Sequence, residues 1–144
     1  MTKIDFFHGA PDKLQTACQL IGELYREGRQ VLVYAPQAAV AAAIDRLLWT
    51  QPATGFLPHC AADSTLAAET PVLIAGSLEL PGHDDVLINL DGELPSGFSR
   101  FQRLIEIVGN DEADRIQARG RYKHYRDRGY ELNARDIGAR GATA

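Results

Sequence analysis

The chain has 144 residues, 45% hydrophobic and 24% charged, the size and balance of one ordinary globular domain able to bury a continuous core. No apolar run approaches the roughly 20 residues needed to span a bilayer, and the start "MTKIDFFHGAPDK" has no leader pattern, so a cytoplasmic protein without a membrane contact is expected. The net charge of −4 is unevenly spread, with +5 over residues 115–144 against −9 over residues 1–114, which points to an electrostatic partner.

In chain order, "KIDFFH" is a short apolar run and reads as a first strand. "GAP" breaks it, and Asp12 is placed to cap a helix whose apolar positions Leu14, Ala17, Cys18, Ile21, Leu24 and Tyr25 recur at three- and four-residue steps. Gly28 ends that helix. "QVLVYA" follows as a nearly continuous apolar strand of the kind covered on both faces. Pro36 opens a second, alanine-rich helix, "QAAVAAAIDRLLW". "GFLPH", "PVLIAG" and "DDVLINLD" supply three further strands, with Asp84 and Asp85 solvating the entrance of the last. The stripe Phe98, Phe101, Leu104, Ile105 and Val108 fits a helix, yet "LIEIV" fits a strand; we divide the segment into a helical turn over 96–101 and a strand over 103–108. Asp111 then caps a last helix over 111–128, with Glu112 and Asp114 in its first turn.

Strands alternating with helices imply an α/β fold: a single Rossmann-like domain over 1–138, its mostly parallel central sheet flanked by helices. Residues 139–144 read as a flexible tail. Cys18 and Cys60 form no paired motif and are expected to be reduced thiols.

Such a fold invites a nucleotide, but the local chemistry for one is missing. "FHGAPDK" holds one glycine where a dinucleotide turn needs three, and Pro11 removes a backbone donor. No GxxxxGK[ST] occurs, and Asp91 after "VLINL" is a weak match to a magnesium-holding strand end. His8, His59, His83 and His124 have no ligand spacing, and His59 and Cys60 point to opposite faces of a strand. Ser64, Ser77, Ser96 and Ser99 sit in no nucleophile motif. No catalytic residue, cofactor or metal is expected.

The last helix carries the sharper signal. At 100° per residue, Arg115, Arg119, Tyr122, Lys123 and Arg126 share one face. Ala113, Ile116 and Gly120 lie to one side, Gly120 allowing a neighbour close approach, and Ala118 and Tyr125 to the other. Carboxylates and phosphates both suit such a stripe. A short acidic peptide with a hydrophobic end suits it better than a long polyanion, which the rest of the chain would repel. A direct single-stranded nucleic-acid site is the alternative, and a nucleotide-dependent enzyme a more remote one. Trp49, in the stretch "LLWTQPATGFLPHC", is a second candidate: an interface anchor together with Phe56, or a core aromatic closing the second helix.

"LLWTQPATGFLPH" and "RGRYKHYRDRGYELNARDI", joined by "DDVLINL" and the short first strand, make the chain resemble the chi-subunit family of the bacterial DNA polymerase III holoenzyme over nearly its whole length. The resemblance implies a non-catalytic α/β accessory subunit of the clamp-loader assembly. It implies two partners, the psi subunit and the acidic, hydrophobic-ended C-terminal tail of single-stranded-DNA-binding protein, with nucleic acid reached only indirectly. It puts the tail on Arg115, Arg119, Tyr122 and Lys123, and psi, or a repair helicase competing for the same surface, on Trp49 and Phe56. Arg115 stands where the family often has Lys, which keeps the charge. The loop Ala61 to Thr70 and the end "ARGATA" are less family-like.

Overall fold

A computed structural model describes residues 2–50, 57–79 and 83–137. Strand β1 (Lys3–Ala10) gives way to helix α1 (Lys13–Arg26) because Asp12 accepts hydrogen bonds from the backbone N–H groups of Leu14 and Gln15, both at 3.2 Å. Gly28, at φ +80°, supplies the left-handed residue that stops α1. Then come β2 (Val31–Tyr34), α2 (Ala38–Thr50), β3 (His59–Ala61), β4 (Val72–Ala75), β5 (Val86–Asn89), β6 (Arg103–Gly109), α3 (Glu112–Asp127) and β7 (Glu131–Asp136).

The seven strands form one sheet in the order β3-β4-β2-β5-β6-β1-β7, and every neighbouring pair is parallel. Because side chains alternate along a strand, each face builds its own core layer. Val31, Val33, Val72, Ile74, Val86, Ile88, Ile105 and Ile107 meet Ala17, Cys18, Ile21 and Leu24 of α1 and Ile44 and Leu48 of α2. On the other face Ile4, Phe6, Leu32, Leu87, Leu104 and Val108 meet Ala118 and Tyr125 of α3 and the 3-10 turn at Phe98–Arg100. Each fully buried Leu, Ile or Phe there contributes about 1.5–3 kcal/mol, so the layers hold the helices against the sheet.

The α/β reading and its strand–helix order stand, including the division of 96–108 into a turn and β6. Four details differ. The sheet has a seventh strand, β7, which composition hid: five of its six residues are exposed, and only Leu132 turns toward the core. The strand expected at "GFLPH" begins only at His59; Gly55 and Phe56 lie outside the described residues, as does the expected tail at 139–144. Asp111 stands at the α3 N-cap, but its side chain caps nothing; Asp114 ties the entry instead, accepting from Gly109 N at 2.8 Å and Lys13 Nζ at 3.1 Å. Asp85 does not merely solvate β5. It clamps the Arg29 guanidinium, accepting from Nε at 2.8 Å and also from Nη2, and it takes the Gln30 N–H at 3.1 Å. The hydrogen bonds from Arg29 hold the Asp85 carboxyl below its ordinary value.

Candidate functional site

Strands β1 and β6 are neighbours in the sheet, but α1 leaves β1 toward one face and α3 leaves β6 toward the other. Their following segments part at the carboxyl ends, which is where an open parallel sheet leaves a crevice. A cleft of about 610 Å³ lies there. Phe6, His8 and Gly9 come from β1, Val108 and Gly109 from β6, and Ala134 and Asp136 from β7. Helix α3 supplies the remaining wall with Arg115, Ala118, Arg119 and Tyr122. Ala118 is buried, and the half-buried Tyr122 ring sits edge-on to Phe6, centroids 5.2 Å apart. The floor is therefore apolar and the α3 wall cationic, with Asp136 of β7 the carboxylate on the facing side.

The sequence stripe divides in three. Arg115 and Arg119 line the cleft with Tyr122. Arg115 is held loosely, 3.8 Å from Glu112 and half exposed, and among the described residues no carboxylate pairs with Arg119 or Lys123. Lys123 lies exposed beyond the cleft lining, and Arg126, also outside it, faces Asp127 at 3.6 Å. One sequence expectation fails here. Gly120 admits no neighbour: an added Cβ would meet nothing within 4 Å, and Ala113 and Ile116 on the same side are exposed, Ile116 by 57%. The Ala118–Tyr125 side carries the buried anchor of the helix, with the half-buried Tyr122 packed on Phe6 beside it.

Beneath the cleft wall lies a polar cluster that the sequence reading missed. Glu106 of β6 is fully buried. It accepts from Tyr125 Oη at 2.7 Å and from Asn89 Nδ2 at 3.0 Å, and Arg121 Nε stands 3.2 Å from its Oε2. Arg121 Nη1 donates to the Gly92 carbonyl at 2.6 Å, while the buried Nη2 finds no partner among the described residues. Burial raises the Glu106 carboxyl above its ordinary value against the pull of Arg121, Tyr125 and Asn89. Burial, then the Glu106 charge, raises the Tyr125 phenol as well, so it remains a donor. Arg121 therefore takes no part in the exposed stripe, although it sits in the same basic run. Two sequence signals pointed to it: a lone Glu inside "LIEIV", and an Arg spaced three after Ala118 and four before Tyr125.

Trp49 occupies the opposite edge of the sheet, beside β3. It is 59% exposed and its ring lies 4.6 Å from that of the buried His59, which resolves the earlier alternative in favour of a surface aromatic. His59 Nδ1 meets the Leu57 carbonyl at 2.7 Å and Nε2 stands 3.2 Å from Asp45. Phe56, its expected companion, lies outside the described residues. Five strand spacings separate β3 from β1, so roughly 24 Å divides the two surfaces. Among the described residues no His, Cys, Asp or Glu group is arranged to hold a metal, and no helix is long and apolar enough to cross a membrane.

Comparison with known sequences finds relatives over most of the chain. The profile of the family described as "DNA polymerase III chi subunit, HolC" matches residues 1–133. The "DNA polymerase III subunit chi" of Pseudomonas aeruginosa is 37% identical over 137 residues, covering 92% of this chain and 94% of that protein. Its Haemophilus influenzae namesake is 34% identical, covering 86% and 87%, and that of Escherichia coli 31%, covering 83% and 82%. The family match, over residues 1–133, takes in the first strand, Trp49 and the basic helix alike. The chain belongs to the DNA polymerase III chi subunit family, and is thus a replication accessory subunit rather than a catalytic one.

Proposed function

We propose that the protein is a cytoplasmic adaptor of the clamp-loader assembly. In this reading the cleft beside α3 receives the acidic, hydrophobic-ended C-terminal tail of single-stranded-DNA-binding protein. The observation that carries the reading is the pairing, in one cleft, of an apolar floor with cations that have no strong partner among the described residues. Phe6, Val108, Ala118 and Tyr122 take the terminal hydrophobic side chain. Arg115 and Arg119 take carboxylates, and Lys123 and Arg126 attract the acidic residues upstream. Residues 1–114 carry −9, which disfavours a long bare polyanion and leaves nucleic acid as an indirect partner.

The second contact in this reading is psi, or a repair helicase in its place, at Trp49 with Phe56. An exposed tryptophan backed by a buried histidine has the chemistry of an interface anchor. Holding two partners at opposite edges of one sheet turns the later binding event into an intramolecular one, raising avidity by about 10²–10⁴ without any new contact.

Calorimetry tests the reading. The protein is titrated with an acidic peptide ending in a hydrophobic residue, with a single-stranded oligonucleotide and with nucleotides. Saturable binding of the peptide alone is expected, whereas retention of the oligonucleotide without the peptide would move the assignment to direct nucleic-acid binding. Trp49→Ala is expected to abolish co-purification with psi while leaving peptide affinity unchanged.

A further inference from the structure

The cationic wall of the cleft rides on α3, and what fixes α3 is not apolar packing alone. Four buried groups from three places meet beneath it: Arg121 and Tyr125 from α3, Glu106 from β6 and Asn89 from β5. Asn89 is itself fixed, its Oδ1 accepting from Asp91 N at 2.9 Å and its Nδ2 donating to the Glu93 carbonyl at 3.2 Å. Arg121 adds the Gly92 carbonyl, so the helix is pinned to the sheet and to the loop after β5 by directed contacts.

A buried ion pair is a poor way to gain stability. Desolvating both charges offsets most of their attraction, and packed apolar groups of similar volume commonly do as well or better. Here the desolvation cost is only partly compensated, since among the described residues Arg121 Nη2 has no hydrogen-bond partner and Nε has only the ion pair with Glu106. Directionality is what the cluster supplies. An apolar contact tolerates sliding and rotation; hydrogen bonds of 2.6–3.0 Å to fixed acceptors do not. On a helix, neighbouring residues differ by about 100° and 1.5 Å, so holding 121 and 125 also sets where 115, 119 and 122 point.

We infer that Glu106, Arg121, Tyr125 and Asn89 are positioning residues that set the rotation and height of α3, and with them the cationic wall of the cleft, rather than a device for stability. The inference rests on the tail-docking reading for its functional consequence and on geometry for the rest.

The test is an apolar replacement of the cluster, Glu106→Leu/Arg121→Met/Tyr125→Phe, with Tyr125→Phe alone as the milder variant. Three quantities are read in the full chain: Tm, calorimetric affinity for the acidic peptide, and amide hydrogen exchange along α3. The triple variant is expected to keep or raise Tm, to bind the peptide at least about fivefold more weakly, and to exchange faster over 112–127 than over the sheet. Tyr125→Phe is expected to change affinity and exchange in the same direction, by less. Peptide affinity within twofold of wild type in a folded triple variant overturns the inference. Loss of the folding transition overturns it too, because it assigns the cluster to stability. If wild type itself fails to bind the peptide, the docking reading falls, and α3 exchange alone then decides: faster in the variants supports positioning, unchanged refutes it.

Discussion

Truncating the stripe one cation at a time separates docking in the cleft from long-range attraction. Arg119 lines the cleft and pairs with no described carboxylate, so a ligand carboxylate displaces water from the guanidinium and breaks no ion pair with a described residue. Charge-assisted hydrogen bonds contribute about 1.5–3 kcal/mol when desolvated, exposed pairs about 0.2–1 kcal/mol. The cleft wall lies between these limits, so Arg119→Ala should cost about 1–2 kcal/mol, a rise in Kd of about 5- to 30-fold. Lys123 stands outside the lining and acts through space; Lys123→Ala should cost about threefold and Lys123→Glu more, since it introduces repulsion. Arg126 is already beside Asp127, and Arg126→Ala should change Kd by less than about twofold. All three side chains are exposed, so Tm should not move. Calorimetry with the acidic peptide measures the series, repeated at two salt concentrations because exposed pairs weaken with ionic strength. Equal losses at Arg119, Lys123 and Arg126 would refute docking in the cleft and leave only a diffuse field.

Further outcomes follow from the rest of the molecule. Gly120→Ala should stabilise the protein by about 0.5–1 kcal/mol in thermal or urea unfolding, because the site is helical and the new methyl meets nothing. A loss of stability there would contradict the exposed placement of that face. The Asp85 carboxyl titrates lower in the folded than in the unfolded chain, so the Arg29 clamp contributes stability above the unfolded value of about 3.9 and loses it as pH falls through the folded one. Asp85→Asn should accordingly flatten the acid limb of the stability–pH curve and leave the alkaline limb unaltered. Burial raises Cys18 from 9.0 to about 11, so stability should fall as pH rises across that interval, where only the unfolded thiol ionises. A maleimide applied at neutral pH should label half-exposed Cys60 well before Cys18.

The parts of the fold legible in the sequence were those whose apolar residues are either periodic or continuous. Leu14 to Tyr25 marked α1 by three- and four-residue steps, and "VLVY" and "VLIN" marked central strands because both faces of a parallel sheet are covered. β7 escaped because an edge strand is specified by its neighbour. "ELNARD" carries almost no apolar pattern, and becomes a strand because Gly129, at φ +81°, turns the chain back along the free edge of β1. The cationic stripe was visible as a helical spacing, but the cleft beside it was not. It arises from the order β6-β1-β7 and from α1 and α3 leaving on opposite faces, which are facts of topology. Arg121 was hidden for a related reason: charge counts toward a surface until the sheet supplies Glu106 beneath it.

The central claim is that an acidic, hydrophobic-ended peptide seats in the cleft formed by the carboxyl ends of β1 and β6 and by α3. Amide chemical-shift mapping of the full chain during titration with that peptide tests it most directly. The account predicts saturable shifts concentrated at residues 6–9, 108–110 and 115–123, with the β3 edge and Trp49 unmoved. Shifts centred on Trp49, or spread evenly over every exposed Arg and Lys, would contradict it.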